Sequence, residues 1–264
     1  MSGRLSFRKY LKLSGLDFRK FFRSWALWSI YRANRKAFFK QAKTSSHFFS
    51  TGSALPCLWD RMDKGGIARG QYFFQDLLVA RRIYERRPTS HVDIGSRVDG
   101  FVAHVAVFMK ILIFDLRDVD STDVNIEFQK RDIMLDDPKW WDSAESLSCL
   151  HALEHFGLGR YGDSIDFEGH VVGFRNMAKM LKPGGVFYFS VPIGAKQRIE
   201  FDAHRIFSLP YLLSLIGDNG LSVADFHYID DKGLLHANVP VHSDDASLTF
   251  NLRNGCGIFE LRKS

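Results

Sequence analysis

The sequence predicts an α/β fold: a doubly wound, mostly parallel seven-stranded sheet carrying a basic helical N-terminal extension. Three observations carry this. Short apolar or β-branched runs alternate with amphipathic segments from residue 70 onward, as expected for a parallel sheet covered on both faces. The run S-H-V-D-I-G-S-R-V-D-G at 90–100 reads as strand, glycine turn and helix start, the opening of a nucleotide-binding βαβ unit. Acids close the first four strands in turn: Asp93, Asp115, Asp132 and Glu154.

With 264 residues, 45% of them hydrophobic, the chain can bury one large core beside an extension. The boundaries read as a basic aromatic helical extension at 1–43, a linker and lead-in at 44–69, and an α/β domain at 70–264. Residues 1–43 hold twelve Lys or Arg against one acid, Asp17, a net +11, so the remainder carries −5 of the +6 total. Three scattered cysteines (Cys57, Cys149, Cys256) give no disulfide framework and no zinc spacing, and point to a reducing, cytoplasmic compartment. No membrane span and no secretory h-region are expected, since no run of about 18 apolar residues occurs.

In the head, aromatic residues from Phe18 to Phe39 interleave with the basic ones at helical spacing. Residues 7–42 could lie on an anionic membrane at the inner leaflet, or pack their aromatics on the domain. No RNA-binding signature supports a nucleic-acid partner. The linker follows, and residues 70–87 then read as an amphipathic helix with Phe74, Leu77, Leu78, Arg81 and Tyr84 on its apolar side, ended by Pro88. At its start, Tyr72, Gln75 and Asp76 either close over a cleft or serve as packing and solvated positions.

The first strand ends at Asp93 and a helix is expected within 101–109. Strands are expected at 111–114, 126–129, 146–150 and 186–191. A helix over about 170–181 is stopped by Lys182-Pro183-Gly184-Gly185. Ser208 is the expected cap of another helix, with Pro210 in its first turn and an end near Asn219-Gly220. Residues 222–229 and 257–261 complete the seven strands.

In such a sheet, ligands bind beyond the carboxyl ends of the strands where strand order reverses. A carboxylate ending the second strand, Asp115, is placed to accept both hydroxyls of a ribose. Gly95-x-Arg97-x-x-Gly100 lacks the middle glycine that lets backbone meet a pyrophosphate, which argues against a nicotinamide dinucleotide. His151-x-x-Glu154-His155 matches an inverted zinc-protease motif, but His151 directly follows a strand and no third ligand is evident, so no metal is expected.

From about residue 72 onward the chain resembles the class I S-adenosylmethionine-dependent methyltransferases, which have a Rossmann-like fold. The resemblance rests on H-V-D-I-G-S-R, F-D at 114–115, R-D-I at 131–133, L-H-A-L-E-H at 150–155, M-L-K-P-G-G-V-F-Y-F-S-V-P at 180–192 and H-R-I-F-S-L-P-Y-L at 204–212. The fuller string Y-F-F-Q-D-L…H-V-D-I-G-S-R-V-D-G-F-V-A-H is similar to a branch associated with bacterial surface-glycan pathways. The resemblance implies S-adenosylmethionine as cofactor and a small-molecule or glycan precursor as acceptor. It implies Asp93, Gly95 and Ser96 near the methionine part, Asp115 on the ribose, Asp132 and Ile133 flanking the adenine, and His151 in the methyl-transfer cleft. His155 and His204 are the candidate bases, with Glu154 orienting either imidazole. Arg97 and Asp99 stand where the superfamily usually has its second and third glycines; Arg97 either contacts the cofactor carboxylate or an anionic substrate group, or marks a cofactor-silent binding or assembly module.

Overall fold

The computed structural model describes residues 18–47, 49–58, 61, 64–120, 124–241 and 249–263. Contacts divide the chain into two units, Met1–Ile67 and Ala68–Ser264. Residues 7–17 of the expected head helix lie outside the described residues.

In the first unit, α1 spans Phe18–Ala42, and residues 49–58 carry no regular secondary structure. Not one acid occurs in α1.

The second unit is an eight-stranded sheet in the order β3-β2-β1-β4-β5-β10-β8-β9. The strands are β1 (His91–Ile94), β2 (Ile111–Asp115), β3 (Ile126–Lys130), β4 (Ala144–Leu150), β5 (Leu181–Ile193), β8 (Leu221–Ile229), β9 (Leu235–His236) and β10 (Gly255–Lys263). Strands β1 to β5 pair in parallel, and β10 inserts antiparallel between β5 and β8. The seven expected strands are all present; the eighth is the two-residue edge strand β9, too short to leave a sequence signal. Order reverses between β1 and β4, where crossovers leave the sheet in opposite directions.

A core cluster on each face explains the apolar runs. Phe174, Phe187, Phe189, Phe226 and Phe259 meet on one side; Val79, Ile83, Phe101, Ile113 and Ile258 meet on the other. The fully buried phenylalanines interlock at ring-centroid distances of 4.7–5.9 Å, edge-on or tilted except for the stacked pair Phe189–Phe259.

Four expectations are corrected. The helix α2, Gln71–Arg86, buries Gln75, Asp76, Val79, Ala80 and Ile83, while Leu77, Arg81 and Tyr84 face outward. Two polar residues took core positions because they have partners there, and this rotated the face away from the hydrophobic count. Residues 101–109 do not form one helix: a π turn, Val98–Val102, runs into the single α turn α3, Ala103–Ala106. The helix α4, Gly169–Met180, ends before Lys182-Pro183-Gly184-Gly185 as expected, but β5 begins already at Leu181 and not at 186. Pairing jumps from Ala144↔Leu181 to Ser146↔Val186, so the four residues loop out as a wide bulge. Ser208 precedes α5, Leu209–Asp218, but makes no cap bond; its Oγ donates to Gln197 Oε1 at 2.9 Å instead. That contact ties the helix start to a small hairpin, β6 (Arg198–Glu200) with β7 (His204–Ile206), which was absent from the sequence expectation.

Candidate functional site

A cleft of about 260 Å³ opens beyond the carboxyl ends of β1, β2 and β4, at the point where strand order reverses. Its first wall is the turn after β1. Gly95 has φ +66°, and a Cβ there would lie 3.1 Å from the Ala152 Cβ, with Asp115 Oδ2 at 4.0 Å. Only glycine satisfies both the left-handed backbone and this close approach.

Beneath the turn runs a buried polar ladder. The Asp93 carboxylate, fully buried, accepts from Ser96 N at 3.0 Å, from Ser96 Oγ at 2.6 Å and from the Ser148 hydroxyl. With its proton directed at Asp93, Ser148 accepts from His91 Nε2 at 2.9 Å; His91 Nδ1 in turn faces the Ser146 hydroxyl at 2.8 Å. Ser96 Oγ also accepts from Leu150 N at 3.1 Å, linking the turn to the end of β4. Burial lowers the His91 pKa to about 3 and keeps it neutral. Burial raises that of Asp93 to about 6, against the pull of its Ser148 and Ser96 hydrogen bonds. Asp93 and Ser96, assigned to the cofactor by resemblance, thus stand under the cleft and do not line it. Their side chains fix the Gly95 turn.

Asp115 does line the cleft, at the end of β2. Its two oxygens are held by Arg117: Oδ1 accepts from the backbone N at 2.8 Å and from Nε at 3.1 Å, and Oδ2 from Nη2 at 2.8 Å. The Arg117 guanidinium lies 4.5 Å over the Tyr161 ring. Arg97 lines the cleft as well, pairing with Asp99 at 2.9 Å and lying 4.9 Å over Tyr72. A third arginine, Arg131, pairs with Asp137 at 2.8 Å and lies over the Phe114 and Trp140 rings, which also touch each other. Each of the three guanidiniums already has its own carboxylate. Asp132 accepts from Met134 N at 2.8 Å, a turn that brings Ile133 and Met134 to the cleft wall opposite Leu150 and Phe156.

The segment after β4 carries the chemistry-bearing histidines. His151 has φ +53°, and its Nδ1 lies 2.8 Å from the buried Glu154 Oε1. Burial opposes charge on His151, but Cys256 and Glu154 outweigh it and hold the pKa well above the usual histidine value. Its Nε2 is buried with no acceptor among the described residues. His155 is the opposite case. Its Nδ1 donates to the Ala203 carbonyl at 2.8 Å, which makes Nε2 the unprotonated nitrogen of the neutral ring; that atom lies 3.9 Å from Glu154 Oε1. Burial lowers its pKa despite Glu154 nearby, so it is neutral at pH 7. Glu154 fixes the first ring and the Ala203 carbonyl the second.

His204 does not reach the cleft. It sits on β7 with Nε2 3.7 Å from Glu200 Oε2, so F-D-A-H-R serves the site through the Ala203 carbonyl and not through an imidazole. Gln75 and Asp76 form no lid: Gln75 accepts from Ser190 Oγ at 2.6 Å and donates to Asp76 at 3.0 Å in the buried layer below. Tyr72 alone of that trio lines the cleft, its ring 5.1 Å from His151.

Sequence reasoning missed Arg117, Tyr161, Asp163 and Arg205. The Tyr161 loop has a signal in hindsight, Gly157, Gly159 and Gly162, all at positive φ. Arg205 is 4% exposed and donates to the carbonyls of Glu154, Phe156 and Phe167, so it holds the loop that presents both histidines. No group of three His, Cys, Asp or Glu that could hold a metal gathers among the described residues.

A family model described as "Caenorhabditis protein of unknown function, DUF268" matches residues 116–221, which begin just after Asp115 and include His151 and His155. A search of curated proteins by sequence matches none. Among solved structures, the chain is similar to the [4+2]-cyclase SpnF at 15% identity, covering 71% of this chain and 81% of that one, with TM-score 0.48. It is similar to an S-adenosylmethionine-dependent methyltransferase from Mesorhizobium loti at 14% identity, covering 72% and 98%, with TM-score 0.46. It is also similar to the N-methyltransferase NodS from Bradyrhizobium japonicum WM9, solved with S-adenosyl-l-homocysteine, at 12% identity, covering 78% and 91%, with TM-score 0.46. The fold itself is read from the strand order, and it is that of the Rossmann-like methyltransferases.

Proposed function

We propose that the chain is an S-adenosylmethionine-dependent methyltransferase acting on an oxygen of a small molecule or glycan precursor. The observation that carries this is the pairing, at the switch point, of a glycine turn in the left-handed region, where a Cβ would lie 3.1 Å from Ala152, and a strand-end carboxylate facing the same cleft. The residues fit the cofactor: Gly95 admits it, Asp115 accepts its ribose hydroxyls, and Ile133, Met134 and Phe156 offer apolar surface to its base. When bound, it supplies an electrophilic methyl group. The protein then has to orient an acceptor and take a proton. His155 is the base, because its ring lines the cleft, its Nδ1–H is held by the Ala203 carbonyl so that Nε2 carries the lone pair, and burial keeps it neutral. His151, held by Glu154, lines the same cleft beside the Tyr72 ring. The surface-glycan context rests on the sequence resemblance alone.

One observation favours a second reading. Arg117 occupies both oxygens of Asp115, as a binding module without cofactor would tolerate. Native mass spectrometry of the full chain with S-adenosylmethionine separates the two. The enzyme reading expects one added ligand mass and slow appearance of the demethylated product with hydroxyl acceptors; no adduct at high micromolar ligand would refute it.

A further inference from the structure

Glu154 is 2% exposed, and its carboxylate stands between two imidazoles. His151 Nδ1 lies 2.8 Å from Oε1, and His155 Nε2 lies 3.9 Å from the same oxygen. Oε2 is buried with no hydrogen-bond partner among the described residues. Nor does any Lys or Arg among those residues lie within ion-pair distance of the carboxylate; Arg205 donates to the Glu154 main-chain carbonyl instead. Buried beside two neutral rings, the carboxylate would be an uncompensated charge, so the three groups hold one further proton among them. The 2.8 Å contact is a hydrogen bond and the 3.9 Å contact is not, which puts that proton on the His151 side. Asp76 and Cys256 face His151, and Cys149 faces Glu154. Burial lowers the His155 pKa, Glu154 and the Ala203 carbonyl raise it, and Arg160 and His204 lower it. The Tyr161 ring stands edge-on to His155 at 5.3 Å.

We propose that His151 tunes the basicity of His155 through the carboxylate they share. While the proton sits on the His151 side, Glu154 is neutralised and attracts a second proton to His155 Nε2 only weakly. His155 then keeps its lone pair, as its role of base requires. When Nε2 takes a hydroxyl proton from the acceptor, the same carboxylate lies 3.9 Å away and lowers the cost of the new charge. Two rings competing for one counter-charge titrate as a unit, with midpoints that belong to the pair. The inference rests on the reading of His155 as the base, yet the linkage itself needs neither cofactor nor acceptor. A chain that binds no S-adenosylhomocysteine and a chain without the linkage are therefore told apart.

The test is imidazole nuclear magnetic resonance of the full chain carrying isotopically labelled histidine, titrated without ligand across the histidine range. The signal lost in His155→Gln identifies that ring. His151→Asn, which suits the left-handed backbone at φ +53°, should raise the proton affinity of His155 about tenfold. Glu154→Gln should lower it by about the same factor. In the double variant the effect of His151→Asn should vanish, because the carboxylate that transmits it is gone. An equal effect of His151→Asn with and without Glu154 would overturn the inference, and so would a rise in Glu154→Gln. Should a variant fail to fold, the wild type decides alone. Two-step curves with shared midpoints on both rings are expected; independent single-step curves would overturn the linkage.

Discussion

Removing Arg117 should tighten the binding of any ligand that needs the Asp115 carboxylate. In the structure the guanidinium takes both oxygens, at 3.1 and 2.8 Å, and lies 4.5 Å over Tyr161. A ribose diol competes for the same two acceptors. The Arg117 side chain is 53% exposed and Asp115 10% exposed, so solvent screens the pair and its worth is about 1 kcal/mol, well below that of a buried one. The Tyr161 contact adds about 0.5–1 kcal/mol that must also be given up when Arg117 swings away. Arg117→Ala keeps the backbone N–H that bonds Oδ1 at 2.8 Å, so the carboxylate stays aimed. Affinity for S-adenosylhomocysteine should therefore rise by about five- to twentyfold, the equivalent of about 1–2 kcal/mol. Isothermal titration of variant and wild type reads this directly, and adenosine against 2′-deoxyadenosine reports whether the gain depends on the diol. Weaker binding by the variant would refute the reasoning, since it would mean that Arg117 holds the ligand and does not compete with it.

Three further outcomes follow from the layer around the cleft. Ser148→Ala deprives both Asp93 and His91 of a buried partner, and chemical denaturation should show a loss of about 1–3 kcal/mol. His91 and Asp93 pull stability in opposite directions with pH. The unfolded His91 protonates near 6.5 and the folded one only near 3, so its contribution is lost as pH falls below 6.5; Asp93 ionises near 3.8 unfolded and 6 folded, so its contribution is lost as pH rises from 3.8 to 6. The two nearly cancel between about pH 4 and 6, and His91→Gln should expose the Asp93 slope: its stability relative to wild type should gain about 1.4 kcal/mol per pH unit on acidification from 6 to 4, measured by denaturation. Gly95→Ala should lower the thermal midpoint and block S-adenosylhomocysteine together, because its Cβ meets Ala152 at 3.1 Å in a left-handed backbone; unchanged binding would place the ligand elsewhere.

What the sequence made legible was whatever repeats with the period of its own element. The strands are read from apolar runs, and Asp115 closes β2 as expected, whereas Asp93 lies inside β1 and Asp132 and Glu154 lie in the segments after β3 and β4; the glycine turn at Gly95 located the cleft. His155 was readable because it follows a strand end closely. The rest depends on partners far away in sequence. The rotation of α2 could not be counted from hydrophobicity, because Gln75 is buried by Ser190, 115 residues on. The role of F-D-A-H-R lies in a main-chain carbonyl, Ala203, which leaves no side-chain signature. Nothing local in the sequence marks Arg117 or Arg205: one is defined by the Asp115 carboxylate and the Tyr161 ring, the other by the carbonyls of Glu154, Phe156 and Phe167. Arg97, the residue that most disturbed the glycine pattern, rests between Tyr72 and Asp99 at the cleft edge and leaves the Gly95 turn intact.

The central claim is that Asp115, at the switch point, holds the ribose of an adenosyl cofactor. Calorimetric titration of S-adenosylhomocysteine into wild type and Asp115→Ala tests it most directly. One-to-one binding by wild type, weakened in the variant by about tenfold or more, is the predicted result, the scale of a lost charge-assisted hydrogen bond. Equal affinity in the two proteins, or no heat with folded wild type at high micromolar ligand, would contradict it.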